Sequence, residues 1–327
     1  MFDIITFGSA TRDMFVASKD FKILASDEFI TGKGLCASAG SKIYIDDLIF
    51  ATGGGGTNVA VTFALQGLKT AYLGKVGDDA GGVAITDELR EMGVTSLVAK
   101  DNAKKTAYSI ILSAPLQERT ILVYHGACHF LRGGEIDWDK IKAQWIYIAP
   151  LSGDSAEIFE PLINFAHQNK IKIAVNPGNS QLKMDKKVLE LLLNKIDVLI
   201  LNQEEAAQLT GVAYSEEKEI FKILDELVGG IVVMSKGPQG VVVSDGKDLY
   251  SAGIPQSDLL DRTGAGDAFG SGFVAGLIQA PNDIVYAIQL GTANATSCVQ
   301  QFGAKNGLLK KGEWGEWEKV EVGRIEL

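Results

Sequence analysis

The sequence predicts an α/β fold wound about a mostly parallel sheet, and three observations carry that expectation. From Trp145 onward short apolar β-rich runs alternate with helical ones, the chain opens on a β-α-β rhythm, and no internal repeat or low-complexity tract breaks the pattern. A chain of 327 residues, 46% of them hydrophobic, is long enough to bury the core that such a sheet needs.

In chain order, Asp3 to Phe7 reads as a buried strand, Asn58 to Leu65 as a helix and Thr70 to Val76 as the next strand. Between the first two lies a long interruption, Phe15 to Phe50, which mixes a strand-like Lys42 to Ile45 with Gly32, Gly34 and Gly40 and so reads as an excursion from the sheet. Tyr108 to Ser113 and Arg119 to Tyr124 are β-rich runs separated by Ala114 to Glu118, which reads as a hairpin. The two excursions, about 15–50 and 104–126, could together make a small sheet that covers a cleft. Regular alternation follows: strands Trp145 to Ile148, Ile171 to Val175 and Val198 to Leu201, with helices Ala156 to Gln168, Val188 to Asn194 and Glu204 to Thr210. Ile231 to Met234 and Val241 to Ser244 add strands, and helices beginning near Asp267 and running from Ile284 to Cys298 come after them. The stretch from Gly312 to Leu327, with Trp314 and Trp317 among charges, reads as a surface strand or tail. One main domain, 1–327, accommodates the whole pattern.

Composition removes several classes of function. Thirty-one basic against forty-one acidic residues give a net charge of −10, the wrong sign for gripping nucleic acid or an anionic membrane. Three scattered cysteines, Cys36, Cys128 and Cys298, suggest neither a disulfide framework nor a zinc site, and His125, His129 and His167 lack metal-ligand spacing. Met1 to Thr6 carries no basic leader and no apolar run approaches a membrane span, so a cytoplasmic protein in a reducing compartment is expected. An acidic chain can still bind a nucleotide where backbone amides and helix ends do the local work.

The segment Asp261-Arg262-Thr263-Gly264-Ala265-Gly266-Asp267 offers such a place, because apolar residues Phe269, Phe273, Val274, Leu277 and Ile278 recur behind it at helical spacing. The first turn of a helix has unpaired amides and a dipole that favours negative charge, so a phosphoryl group in flight could be held there. Asp267 would then accept a proton from an attacking hydroxyl. A glycine turn followed by an acidic residue also stabilises many helices without doing chemistry. Gly270, Gly272 and Gly276 tip the balance, since each costs about 1 kcal/mol in an exposed helix interior and so calls for something packed close to that backbone.

Four segments converge: Gly53-Gly54-Gly55-Gly56-Thr57-Asn58, Asn202-Gln203-Glu204-Glu205, Ser235-Lys236-Gly237-Pro238-Gln239-Gly240, and Asp261 through Asp267. Together they resemble the ribokinase, or PfkB, family of carbohydrate and nucleoside kinases, from about Ile4 to about Gly307. The glycine run alone would also suit a Rossmann site, but the Gly-x-Gly-x-x-Gly/Ala and acidic spacing are not met. The resemblance implies a ribokinase-like three-layer α/β/α sandwich with a mostly parallel central sheet and a small β-sheet lid. It implies a kinase that moves the γ-phosphoryl group of ATP to a primary hydroxyl of a sugar or sugar-like acceptor. Asp267 is similar to the family's base, and Gly264, Ala265 and Gly266 with the Asp267 amide are similar to its anion hole.

Asn202 and Glu205 match the family's Asn-x-x-Glu element, where Glu205 would organise water around Mg²⁺ and Asn202 would approach the nucleotide phosphates. Two glutamates also simply favour a helix start. Ser235, Gly237 and Gly240 resemble the loop past the ribose and adenine, and Asn294 lies in the helix that would wall the base. Asp261 and Thr263, with backbone near Cys298 and Gly303, fall where many members bind an activating K⁺, though Asp261 could equally be a turn residue. On the acceptor side stand Asp13 and Asn58, whose groups suit vicinal hydroxyls, with Gly53 and Gly54 letting the sugar lie against the backbone. In several relatives the lid also forms a homodimer interface.

This chain has Gly55 where ribokinase carries lysine in Gly-Gly-Lys-Gly, so ribose is not specifically supported. Arg12 is either a surface residue or a partner for an acceptor carboxylate or phosphate, which leaves sugar acids and phosphosugars open. A nucleoside acceptor would need an apolar slot that Phe15, Tyr108 or His125 could supply. A catalytically silent sugar- or nucleotide-binding protein is the remaining alternative, since fold alone does not establish activity.

Overall fold

The structure, a computed structural model, describes residues 1–114 and 119–326. Its elements run β1 (Phe2–Phe7), β2 (Thr11–Ala17), β3 (Lys22–Ala25), β4 (Lys33–Cys36), β5 (Asp47–Gly53), α1 (Gly55–Leu65), β6 (Thr70–Leu73), β7 (Lys75–Gly77), α2 (Ala80–Glu91), β8 (Thr95–Ser96) and β9 (Ala99–Asp101). They continue with β10 (Ala107–Ser113), β11 (Arg119–Tyr124), β12 (Ala143–Ile148), α3 (Phe159–Gln168), β13 (Lys172–Val175), α4 (Asn179–Leu182), α5 (Lys186–Leu193), β14 (Val198–Asn202) and α6 (Gln203–Thr210). The last are α7 (Glu217–Leu227), β15 (Ile231–Ser235), β16 (Val241–Ser244), β17 (Asp248–Ala252), α8 (Ala265–Gln279), α9 (Ile284–Cys298) and β18 (Val322–Glu326).

The central sheet has the order β18-β17-β16-β15-β14-β13-β12-β1-β6-β8, parallel from β15 to β8 and antiparallel at the β16, β17 and β18 edge. One face carries Val59 and Phe63 of α1 with Phe269, Phe273 and Leu277 of α8 and Ile288 of α9. The other carries Phe159 and Leu162 of α3, Leu189 and Leu192 of α5 and Phe221 and Leu224 of α7. Both sheet faces are covered, as a parallel sheet of Val, Ile and Leu strands requires. The chain therefore has the three-layer α/β/α architecture expected of it. The tail strand β18 closes the antiparallel edge.

The glycines inside α8 have a neighbour. A Cβ on Gly276 would lie 2.6 Å from the Ala287 Cα and one on Gly272 3.0 Å from the Gly291 Cα, so α9 packs directly on the α8 backbone. A second sheet, β11-β10-β2-β5, is made by the ends of the two predicted excursions. The turn expected between β10 and β11 falls at 115–118, outside the described residues.

Three local expectations change. Thr70 to Val76 is two strands: β6 stays in the central sheet while β7 pairs with β9. The break sits at Gly74, where a Cβ would lie 1.9 Å from the Tyr72 hydroxyl, which turns back to donate to the Gly8 carbonyl. Lys42 to Ile45 forms no strand; Tyr44 and Ile45 project into solvent, and the excursion's own hairpin is β3 with β4. Helices α2 and α7 escape the sequence pattern because one opens on Gly81-Gly82 and the other is rich in charge.

Candidate active site

Gly264 adopts the left-handed conformation (φ 79°) and caps α8, and a Cβ there would meet that of Ala304 at 2.4 Å. Only glycine fits such a turn without strain. Among the described residues the amides of Gly264, Gly266 and Asp267 find no acceptor, so they point outward at the positive end of a fifteen-residue helix. Ala265 is a correction to the expected anion hole: its N–H donates to the Arg262 carbonyl at 3.3 Å and is spent inside the turn.

Asp267, partly buried in the first turn, accepts from Asn58 Nδ2 at 2.9 Å. Burial lifts its carboxyl above the ordinary carboxylate value, and the Asn58 hydrogen bond pulls part of the way back. Among the described residues Asn58 Oδ1 is buried and unpartnered, so one end of this amide holds the carboxylate and the other keeps an unspent acceptor. A Cβ on Gly55 would lie 3.5 Å from Asp267 Oδ1 and 3.6 Å from Pro150, which brings the end of β12 to the same place.

Asp261 is buried and engaged: Oδ1 accepts from the Thr263 amide (3.0 Å) and hydroxyl (2.7 Å), and Oδ2 from the Gly303 amide (3.2 Å). These contacts tie the approach to Gly264 onto the loop after α9.

At the nucleotide end, Asn202 and Ser235 are register partners at the carboxyl ends of β14 and β15. Asn202 and Glu205 form a reciprocal capping box, each side chain taking the other's backbone N–H at 2.8 Å. Among the described residues Glu205 Oε1 and Asn202 Nδ2 have no partner, and burial raises the Glu205 carboxyl above its ordinary value. A Cβ on Gly237 would meet nothing within 4 Å, whereas one on Gly240 would lie 1.9 Å from the Ala252 carbonyl oxygen, so strand β17 explains that glycine. Asn294 is a second correction. It is fully buried, its amide spans the Ala268 carbonyl (2.8 Å) and the Leu309 N–H (2.9 Å), and it joins α9 to α8 instead of facing a base.

At the acceptor end, Asp13 on β2 accepts from the Thr11 hydroxyl at 3.0 Å. Burial raises its carboxyl, opposed by hydrogen bonds from Thr11 and Ser109 and by the charges of Lys305 and Arg12. Its Oδ2 would be 2.1 Å from a Cβ on Gly53, and one on Gly54 would lie 2.5 Å from the Ser9 carbonyl. Protein atoms thus fill the space that a side chain at either glycine would need. The Arg12 guanidinium lies over the Phe50 ring, 5.4 Å from its centroid. Sequence reasoning missed Ser109 and the cluster of Lys305, Glu88 and Thr52 beside Asp13, because none of these carries a motif.

A pfkB family carbohydrate kinase model matches residues 22–311. The chain belongs to the pfkB family of carbohydrate kinases. It is 27% identical over 290 residues to a ribokinase of Lactococcus lactis, covering 88% of this chain and 92% of that protein. A cytidine kinase of Thermococcus kodakarensis is 25% identical over 290 residues, covering 84% and 95%. A ribokinase of Arabidopsis thaliana complexed with ribose and ATP superposes with a TM-score of 0.77 at 21% identity, over 94% of this chain and 96% of that one, and shows the shared fold. This pfkB kinase is thus a phosphotransferase with an alcohol group as acceptor. Among its described residues no helix is long and apolar enough to cross a membrane.

Proposed function

We propose that this chain transfers the γ-phosphoryl group of ATP to a primary hydroxyl of a sugar or sugar-like acceptor, with Asp267 as general base. The observation that carries the reading is the Asn58 amide, donating to Asp267 at 2.9 Å while its buried Oδ1 has no partner. An acceptor hydroxyl donating to Oδ1 would stand beside the carboxylate that takes its proton. The free amides of Gly264, Gly266 and Asp267 suit the charge that gathers on the transferred group. A carboxylate whose proton affinity is raised by burial is a better base than an exposed one.

The donors present suit Mg²⁺: Glu205 Oε1 is the unused carboxylate oxygen, and a magnesium ion that keeps several waters needs few protein ligands. Bound there with the nucleotide, it would neutralise phosphate charge. The Asp261, Thr263 and Gly303 knot supports a K⁺ site less directly, since the carboxylate already accepts three hydrogen bonds. A nucleoside acceptor is the second reading, supported by the cytidine kinase relative. The exposed Leu48, Ile49 and Phe50 of β5 and Ile121 to Tyr124 of β11 support pairing of two copies through the lid, which sedimentation would read.

The test is ADP release from ATP and Mg²⁺ across sugars, sugar acids, phosphosugars and nucleosides, with and without K⁺. Turnover with a sugar or sugar-like acceptor supports the proposal, and turnover with nucleosides alone replaces it with the second reading. Silence across the panel in protein that binds ATP favours a regulatory binding protein.

A further inference from the structure

Residues 303–305 touch three parts of the site in succession. The Gly303 amide donates to Asp261 at 3.2 Å, and Ala304 fills the space beneath Gly264. Lys305 then sends its ammonium in the other direction, to Thr52 Oγ1 at 2.5 Å and Glu88 Oε2 at 3.0 Å. The Thr52 hydroxyl also donates to Glu88, so strand β5, helix α2 and the loop after α9 meet at one cluster in which Thr52 and Lys305 are buried and Glu88 partly so. Thr52 immediately precedes Gly53, on which the Asp13 carboxylate rests.

The Lys305 side chain is only 5% exposed. Burial depresses its proton affinity; Glu88 and, more weakly, Asp13 favour its charge, and Arg12 opposes it. Hiding an ammonium in this way is expensive, and apolar residues of similar volume usually give equal or better stability. A charge retained at that cost gives directional hydrogen bonds that an apolar side chain lacks, here two of them across the junction between the acceptor end and the anion hole.

We propose that Lys305 is a positioning residue for the acceptor: it holds β5, and with it the Gly53 and Asp13 pair, in register with the turn that backs the Gly264 amides. The proposal rests on the assignment of Asp13 to the acceptor end. Lys305 touches no reacting atom in this role.

The experiment uses the full chain, ATP and an acceptor that turns over, comparing Lys305→Met, Glu88→Gln, their double variant, Thr52→Val and Asp13→Asn. In Lys305→Met, in the double and in Thr52→Val, the acceptor KM is expected to rise roughly ten-fold or more while the ATP KM stays within about three-fold. The double should recover part of the melting temperature that Lys305→Met loses, because the partly buried Glu88 no longer stands without its partner charge. A wild-type acceptor KM in the double and in Thr52→Val overturns the proposal and leaves the cluster as a charge-balanced staple, and an equal rise in both KM values overturns it as well. Thr52→Val, nearly isosteric, carries the test if Lys305→Met does not fold. Asp13→Asn is read separately: an unchanged acceptor KM there removes the Asp13 assignment whatever Lys305 does.

Discussion

The two ends of the parallel strands differ in how they handle charge. At the amino end a depression of about 350 Å³ is lined by His167, Lys170, Lys172 and Lys195, with Asp197 among them. At the carboxyl end, among the described residues, the amides of Gly264, Gly266 and Asp267 stand without an acceptor at a helix amino terminus. Formal charge favours the first, yet the lysines there sit where α3 ends at Gln168 and α5 ends at Leu193, beside helix carboxyl termini whose partial charge is negative. Lysines at helix ends offset dipoles, and the Lys195 ammonium is already given to Asn164 at 2.7 Å. The carboxyl end has the opposite polarity and leaves its donors unspent. A chain of net charge −10 can thus offer an anion donors from backbone that carries no formal charge at all.

The largest expected effect breaks or keeps that assignment outright. Asp267→Asn is nearly isosteric, so it should leave the fold and ATP binding intact while lowering kcat by roughly 10²- to 10⁴-fold. Single-turnover assays with a nucleotide-binding control check this. Near wild-type turnover would take Asp267 out of the base role.

A pair of substitutions two residues apart sharpens the comparison further. Gly264→Ala forces a Cβ to within 2.4 Å of Ala304 at φ 79°, and should cost about 1–3 kcal/mol of stability along with turnover. Gly266→Ala meets nothing within 4 Å and should leave the melting temperature level or slightly raised, yet turnover should fall because the new methyl stands among the free amides. Equal loss of stability in both variants would mean that the turn is only a helix start.

These positions show what a sequence can and cannot say. The α/β alternation from β12 onward was legible because a sheet covered on both faces needs unbroken apolar strands, and Trp145 to Leu201 supplies them. The Gly264 turn was legible for a similar reason: a side chain at φ 79° is strained, and glycine is the residue that takes such backbone most readily. Gly53, Gly54 and Gly240 look the same in sequence but are required by protein neighbours, namely Asp13, Ser9 and Ala252, which only the fold reveals. Asn294 read as a base-facing residue because helix position is visible in sequence and burial partners are not. Lys305 was silent for the converse reason, since an ion pair formed by residues 217 positions apart leaves no local pattern.

A smaller effect tests how Asp267 is held. Its burial raises the pKa and the Asn58 hydrogen bond, made to the charged form, lowers it. The base must be ionised, so kcat should fall as pH drops through that value, on an acid limb above the ordinary aspartate range. Asn58→Ala removes the lowering contribution and should move the limb to higher pH, so that the variant loses proportionally more activity at pH 6 than at pH 8. The acceptor KM should rise at both, because Oδ1 goes with the side chain. An acid limb that stays in place would mean that the titrating group is not Asp267.

The smallest expected effect is the most direct check on the two ends. Replacing Lys170, Lys172 and Lys195 together with alanine empties most of the positive charge from the amino-end depression. Each loss should cost at most a few tenths of a kcal/mol of helix-end stabilisation, and kcat/KM for ATP should stay within about two-fold of wild type. Added salt should mimic the stability change, because dipole compensation at exposed sites is screened. A drop in ATP affinity in this triple variant would put nucleotide at the amino end, where the helix termini repel it, and the reading of polarity across the sheet would have to be abandoned.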